Sequence, residues 1–129
     1  MLKRTRVLIV DDEDRFGAMV KINLESTGRY EVRVEPRGRY GVETAKAFAP
    51  DLILIDIIMP DITGYEVARA LRRENQLKSK PLIFLTALSE EEVSFHEENM
   101  QDVIVLTKPI SSLDLAARID QKIKEAEAL

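Results

Sequence analysis

Asp51-Leu-Ile-Leu-Ile55 carries four consecutive aliphatic side chains and is followed at once by the carboxylate of Asp56. A strand with one wet face alternates apolar and polar residues, so a run without alternation predicts a strand covered on both faces. Working outward, Arg6-Val-Leu-Ile-Val10, Pro81-Leu-Ile-Phe-Leu85 and Val103-Ile-Val-Leu106 repeat the continuous pattern. Tyr30-Glu-Val-Arg-Val34 alternates instead, with Glu31 and Arg33 between apolar neighbours, as an edge strand does. Between the runs lie segments long enough for helices of roughly two to four turns. Thr63 stands three residues before Glu66 and Ser89 three before Glu92, the spacing of a capping box. Gly28 and Pro50 are placed to end the first and second helices. The last helix is expected to begin near Ser111 or Ser112, with Leu115, Ile119 and Ile123 along one stripe. Five strands alternating with helices predict an α/β fold: a doubly wound five-stranded parallel sheet with helices on both faces. Each right-handed crossover between parallel strands needs a helix to cover it.

The chain has 129 residues, 45% of them apolar, with 19 Lys and Arg against 23 Asp and Glu for a net charge of −4. At roughly 150 residues per domain this predicts one domain, 1–129, able to bury about two thirds of its unfolded surface. With no cysteine, thiol catalysis, zinc ribbons, iron–sulfur ligation and disulfide frameworks are excluded. The acidic balance, with both signs interleaved, argues against a non-specific DNA or RNA binder. The basic start, Met1 to Arg6, leads into an apolar run that ends at Asp11 and Asp12. That run is too short for a signal peptide or a membrane span, so the expectation is a soluble cytoplasmic protein without membrane insertion.

In doubly wound sheets ligands bind beyond the carboxyl ends of the strands. The residues expected there are Asp11, Asp12 and Glu13 after the first strand and Asp56 after the third. Thr86 follows the fourth, and Thr107, Lys108 and Pro109 follow the fifth. Carboxylates crowded at one edge repel one another unless a cation neutralises them, and hard oxygen donors select Mg²⁺ or Mn²⁺. An ammonium suits a phosphoryl oxygen as a point charge, and a hydroxyl can donate to another. Together these groups describe phosphoryl transfer onto an aspartate. Singly they have plainer readings: Asp11 and Asp12 as caps of the next helix, Lys108-Pro109 as a loop, Thr86 as a strand end. Asp56 resists such a reading, because charge at a partly buried sheet edge is costly.

The chain resembles the receiver domain of two-component response regulators. The stretches that carry the resemblance are Val7-Leu-Ile-Val-Asp-Asp-Glu13, Pro50-Asp-Leu-Ile-Leu-Ile-Asp-Ile-Ile-Met-Pro60 with Gly64 following, Leu85-Thr-Ala87 and Leu106-Thr-Lys-Pro109. The resemblance implies a flavodoxin-like strand order 2-1-3-4-5. It implies that Asp56 accepts a phosphoryl group from a phosphohistidine on a sensor histidine kinase or histidine phosphotransfer protein. Asp12 would ligate Mg²⁺ directly and Asp11 mostly through water, with Asp56 and the backbone carbonyl of Ile58 completing the protein ligands. Lys108 would pair with the phosphoryl group and Thr86 would move to hydrogen-bond it. Pro109 matches the family's proline after the lysine, commonly in a cis peptide bond. The surface of the fourth helix, fifth strand and fifth helix would then bind a downstream protein or a second copy. On this reading the chain is a switch and not a turnover enzyme.

Val105 stands where the family commonly carries an aromatic residue, which implies a different or weaker readout, and Asn99-Met-Gln-Asp102 replaces a Gly-Ala-Asp-like turn. Ile58 and Leu88, each two positions after a site residue, would flank the hydrolytic water's path and lengthen the phosphorylated state. His96, among Glu92, Glu97 and Glu98, reads as a solvated surface residue, and Glu90-Glu-Glu92 as a helix start. Tyr65 and Phe95 receive no role. Two competing functions are weighed. A haloacid-dehalogenase-type phosphatase uses similar groups, but its nucleophile follows the first strand, whereas the order here is acid pair, Asp56, Thr86, Lys108. A phosphorylation-independent receiver-like interaction module is kept open by Val105. The chain is either a stand-alone receiver or a piece of a longer regulator or hybrid kinase.

Overall fold

The computed structural model describes residues 3–89, 91–93 and 100–128. Its strands are β1 (Thr5–Val10), β2 (Tyr30–Glu35), β3 (Leu52–Ile55), β4 (Leu82–Thr86) and β5 (Ile104–Thr107). The helices are α1 (Asp14–Glu25), α2 (Gly41–Phe48), α3 (Gly64–Arg72) and α4 (Ser112–Glu127), with a 3₁₀ turn at Gly38–Tyr40. All neighbouring strands pair in parallel, in the order β2-β1-β3-β4-β5. The fold is thus the doubly wound parallel sheet that the alternation of strands and helices predicts, in the flavodoxin-like order that the resemblance implies.

Alternate residues of each central strand serve opposite faces, which is why those strands cannot alternate in polarity. Leu52 and Leu54 of β3 join Val7, Ile9, Ile83 and Leu85 against α1 and α4. Ile53 and Ile55 join Leu8, Val10 and Phe84 against α2 and α3. None of the four β3 side chains is more than 1% exposed. Burying each contributes roughly 1.5–3 kcal/mol.

β5 departs from the sequence reading. It is the second edge of the sheet, and Ile104 and Val105 are only half-buried although the run is continuously apolar. Position in the sheet, and not composition, sets its burial. Thr86 and Thr107 also lie within their strands as paired last residues and not beyond them.

The helix ends follow local chemistry. Thr63 and Ser111 cap α3 and α4, their hydroxyls accepting from the N–H groups of Glu66 and Asp114 at 3.3 and 3.1 Å. Ser89 and Glu92 form the capping box: the Glu92 N–H reaches Ser89 Oγ at 3.3 Å while the Glu92 carboxylate accepts from the Ser89 N–H at 3.2 Å. α1 ends at Ser26, with Gly28 two residues on at φ 78°, a conformation that favours glycine. α2 ends with Ala49 in the left-handed region, directly before Pro50. The stripe on α4 is as expected, with Leu115 and Ile119 buried and Ile123 partly so. Tyr65 packs edge-on to Phe84 with ring centroids 5.6 Å apart. The fourth predicted helix lies largely outside the described residues, with His96, Phe95, Glu90 and Asn99. Among the described residues no helix is long and apolar enough to cross a membrane.

Candidate functional site

β1, β3 and β5 all end at one edge of the sheet, and each gives way there to polar residues. Asp11 and Asp56 are hydrogen-bonded into the frame by their backbones: the Asp56 N–H donates to Val10 O at 2.9 Å and the Asp11 N–H to Glu35 O at 3.1 Å. Both side chains are sunk in the sheet edge, Asp11 being 1% and Asp56 8% exposed, while Asp12 is open to solvent. One ligand oxygen from each of Asp11, Asp12 and Asp56 lies within 4.8 Å of the other two. Asp11 and Asp12 do not cap α1. Glu13 holds the cap position without a side-chain bond, and Asp11 Oδ1 accepts from the Glu13 N–H at 2.9 Å.

The backbone around Asp56 is held by a close approach that only glycine permits. A Cβ on Gly64 would sit 2.2 Å from Asp56 O and 2.8 Å from Ile57 Cα. Without one, the Gly64 N–H donates to Ile57 O at 2.8 Å, and the start of α3 closes the loop after Asp56. The Ile58 N–H points to Asp56 Oδ1 at 3.4 Å while the Ile58 side chain is 60% exposed.

Lys108 reaches the acids from β5. Its Nζ lies 2.8 Å from Asp11 Oδ2, 2.8 Å from Glu13 Oε2 and 3.6 Å from Asp56 Oδ2. The Lys108 N–H donates to Thr86 O at 2.7 Å, and the Lys108–Pro109 peptide bond is cis. One cation among four carboxylates leaves excess negative charge at this edge. Burial pushes the Asp11 carboxyl above its usual range despite its bonds from Lys108 and the Glu13 N–H. Burial pulls the Lys108 ammonium down, but its bonds to Asp11 and Glu13 outweigh this and hold it above its ordinary value.

Thr86 is 1% exposed, and its Oγ1 accepts from the Leu88 N–H at 3.4 Å. Leu88 is half-buried, its carbonyl accepting from Thr107 Oγ1 at 3.4 Å. Val105 borders an open groove with Val93, Ile104 and Arg118, away from the acids. Asp11, Asp12, Asp56 and Lys108 therefore form one cluster, with Thr86 beside it through the Lys108 backbone. Sequence reasoning assigned no part to Glu13 as a partner of Lys108, or to Phe16, whose ring centroid lies 4.1 Å from Lys108 Nζ. The phase of α1 places Phe16 one turn after the acids, but only the path of β5 brings Lys108 to it.

The donor set fits a hard divalent cation. It offers carboxylate oxygens on a preformed frame, with no imidazole or thiolate among them. The sequence and the parallel sheet are also similar to those of known proteins. A family model described as the response regulator receiver domain matches residues 7–120. The response regulator ArlR of Staphylococcus saprophyticus is 36% identical over 89% of this chain and 50% of its own length. The DNA-binding dual master transcriptional regulator RpaA of Synechocystis is 31% identical over 96% of this chain and 51% of its own. The chain spans about half the length of the curated relatives it matches. Among solved structures, the signal receiver domain of a signal transduction histidine kinase from Syntrophus aciditrophicus is 32% identical. It has a TM-score of 0.80 and covers 94% of this chain and 91% of that one. The chemotaxis protein CheY4 of Vibrio cholerae is 29% identical with a TM-score of 0.79, over 92% of this chain and 98% of its own. With its fold and residues 7–120 matched, the chain belongs to the response regulator receiver domain family of two-component signalling.

Proposed function

We propose that the chain is a phosphorylation-switched signalling module in which Asp56 accepts a phosphoryl group. The donor we infer is a phosphohistidine on a sensor histidine kinase or histidine phosphotransfer protein. The observation that carries this reading is the cluster of three carboxylates within 4.8 Å of one another, with an ammonium 3.6 Å from Asp56. In the transfer an Asp56 oxygen bonds to phosphorus, the nitrogen–phosphorus bond of the donor breaks, and its electron pair stays on the imidazole. Asp11, Asp12, Asp56 and the Ile58 carbonyl would hold Mg²⁺, or Mn²⁺ by the same donor chemistry. The ion supplies positive charge against the acids and the phosphoryl oxygens. Lys108 would pair with one phosphoryl oxygen, and the Thr86 hydroxyl would leave the Leu88 N–H to donate to another.

That movement would pass to the groove beside Val105, where β5 and α4 offer a surface to a downstream protein or a second copy. Valine in place of an aromatic side chain makes this readout one of backbone and small-volume packing. Apolar Ile58 and Leu88 would hinder a hydrolytic water and lengthen the phosphorylated state. The protein would act in the cytoplasm as a switch, without enzymatic turnover. Its net charge of −4 supports no direct contact with nucleic acid.

The test is intact mass after incubation with acetyl phosphate and Mg²⁺, with Asp56→Asn in parallel. One phosphoryl group gained by the wild type alone supports the reading. An equal gain in Asp56→Asn, or none in a wild type shown to bind Mg²⁺, overturns it.

A further inference from the structure

The single ammonium of the acid cluster is positioned by more than acids. Lys108 Nζ stands over the face of Phe16, 4.1 Å from the ring centroid, closer than the arginines lie to the rings of Phe48, Tyr30 and Tyr40. The ring belongs to the first turn of α1 and packs against the core between the sheet and α4. Glu13, one turn earlier and exposed, holds the ammonium at 2.8 Å, nearer than Asp56 at 3.6 Å. A flexible four-carbon side chain has many ways to direct its charge, and most of them would not reach Asp56. An aromatic face attracts a cation without a directional bond, so it confines the ammonium near the acids while leaving it able to exchange one carboxylate for another.

We propose that Phe16 is a positioning residue for Lys108. Its ring is the platform on which the ammonium passes from Glu13 to the group formed on Asp56. The proposal rests on the reading of Asp56 as phosphoryl acceptor and adds how the lysine is presented to it. Phe16→Leu keeps apolar volume but removes the ring face, whereas Phe16→Trp keeps a face and strengthens its attraction for a cation. Glu13→Gln removes the competing carboxylate and leaves the platform.

The experiment follows phosphoryl gain from acetyl phosphate at saturating Mg²⁺ by intact mass, with the proton shifts of the Lys108 side chain read by NMR. In the wild type the ring current displaces the Lys108 ε-methylene signals upfield. Phe16→Leu loses that displacement and gains phosphoryl groups about three- to tenfold more slowly, as loss of a partly desolvated cation–ring contact implies. Phe16→Trp restores both, and Glu13→Gln keeps the upfield shift while reacting faster than wild type. An undisplaced Lys108 signal in the wild type overturns the proposal. So does a Phe16→Leu rate equal to wild type, or Phe16→Trp as slow as Phe16→Leu, which is the result a merely structural ring would give. A wild type that binds Mg²⁺ yet gains no phosphoryl group overturns the acceptor reading and the proposal with it. That failure is recognised by its being the same in every variant.

Discussion

At the amino end of the sheet Arg6 pairs with Glu31 at 3.3 Å and donates to Phe48 O at 2.8 Å, whereas at the carboxyl end Asp11, Asp12, Glu13 and Asp56 crowd around Lys108. The amino end continues in the same manner. The Tyr30 hydroxyl donates to Asp120 Oδ1 at 2.7 Å beside Arg29, which reaches the other oxygen at 3.3 Å. Arg72 joins Lys78 O, Lys80 O and the Asp102 carboxylate, and the ammonium of the buried Lys122 donates to Asp102 O at 2.6 Å. Each of these side chains has an oppositely charged or carbonyl partner and ties a strand start to a neighbouring element. At the carboxyl end the charges do not balance, and the imbalance sits on a rigid frame. One end is arranged for stability, and the other gathers like charges at a cost in stability, as sites built for function do.

The largest effect expected is at the frame of the acidic end. Gly64→Val places atoms where the Asp56 carbonyl stands and should cost about 3 kcal/mol in urea unfolding. A midpoint equal to wild type would mean that the loop yields and that the close approach constrains nothing.

A smaller loss should mark the amino end at alkaline pH. Burial and the Asp120 carboxylate push the Tyr30 phenol up from 10.0 to about 12. The unfolded chain releases this proton first, so rising pH favours unfolding between those values. The contribution is complete below pH 10, lost by pH 12, and on the order of 2 kcal/mol. Tyr30→Phe should start about 1 kcal/mol less stable at neutral pH, from the lost hydrogen bond, and then show no such decline. A parallel decline in the variant would assign the alkaline loss elsewhere.

At the acidic end the sign should reverse. Asp12→Asn removes one of the crowded charges and should stabilise the metal-free chain by about 0.5–1 kcal/mol. Excess Mg²⁺ should erase that advantage, because the wild type then gains binding energy the variant lacks. Destabilisation of the metal-free chain by Asp12→Asn would contradict the contrast between the two ends. The smallest effect concerns lifetime. Ile58→Asn with Leu88→Glu should shorten the phosphorylated state about twofold, about 0.4 kcal/mol in barrier, as followed by decay of the phosphorylated mass. An unchanged decay would remove any shielding role from these two side chains.

Much of this was legible in the sequence because it depends on periodicity and order. Continuous apolar runs in β1, β3 and β4 require cover on both faces, and that fixes a parallel sheet with helices on each side. Placing Asp11, Asp12, Asp56 and Lys108 directly after strands was enough to bring them to one edge, since parallel strands all end on the same side. Capping spacings at Thr63 and Ser89 are local and were legible for the same reason. The run at β5 was misleading, because Val103-Ile-Val-Leu106 states only that the residues are apolar and not that the strand has a second neighbour. The cap of α1 was equally ambiguous, since two aspartates can serve a helix or a site and the choice depends on where Lys108 arrives.

The sequence by itself determined the order of elements, the face each central strand offers and the side of the sheet where the acids gather. All three follow from a two-residue strand period and a fixed crossover hand. Only the tertiary structure decided that Lys108 lies between Asp11 and Glu13 over the ring of Phe16, and that Gly64 packs against the Asp56 carbonyl. The Lys108 contacts join residues far apart in the chain, the Gly64 contact depends on how α3 docks after the loop, and both are set by the packing of whole strands and helices, which no local pattern encodes.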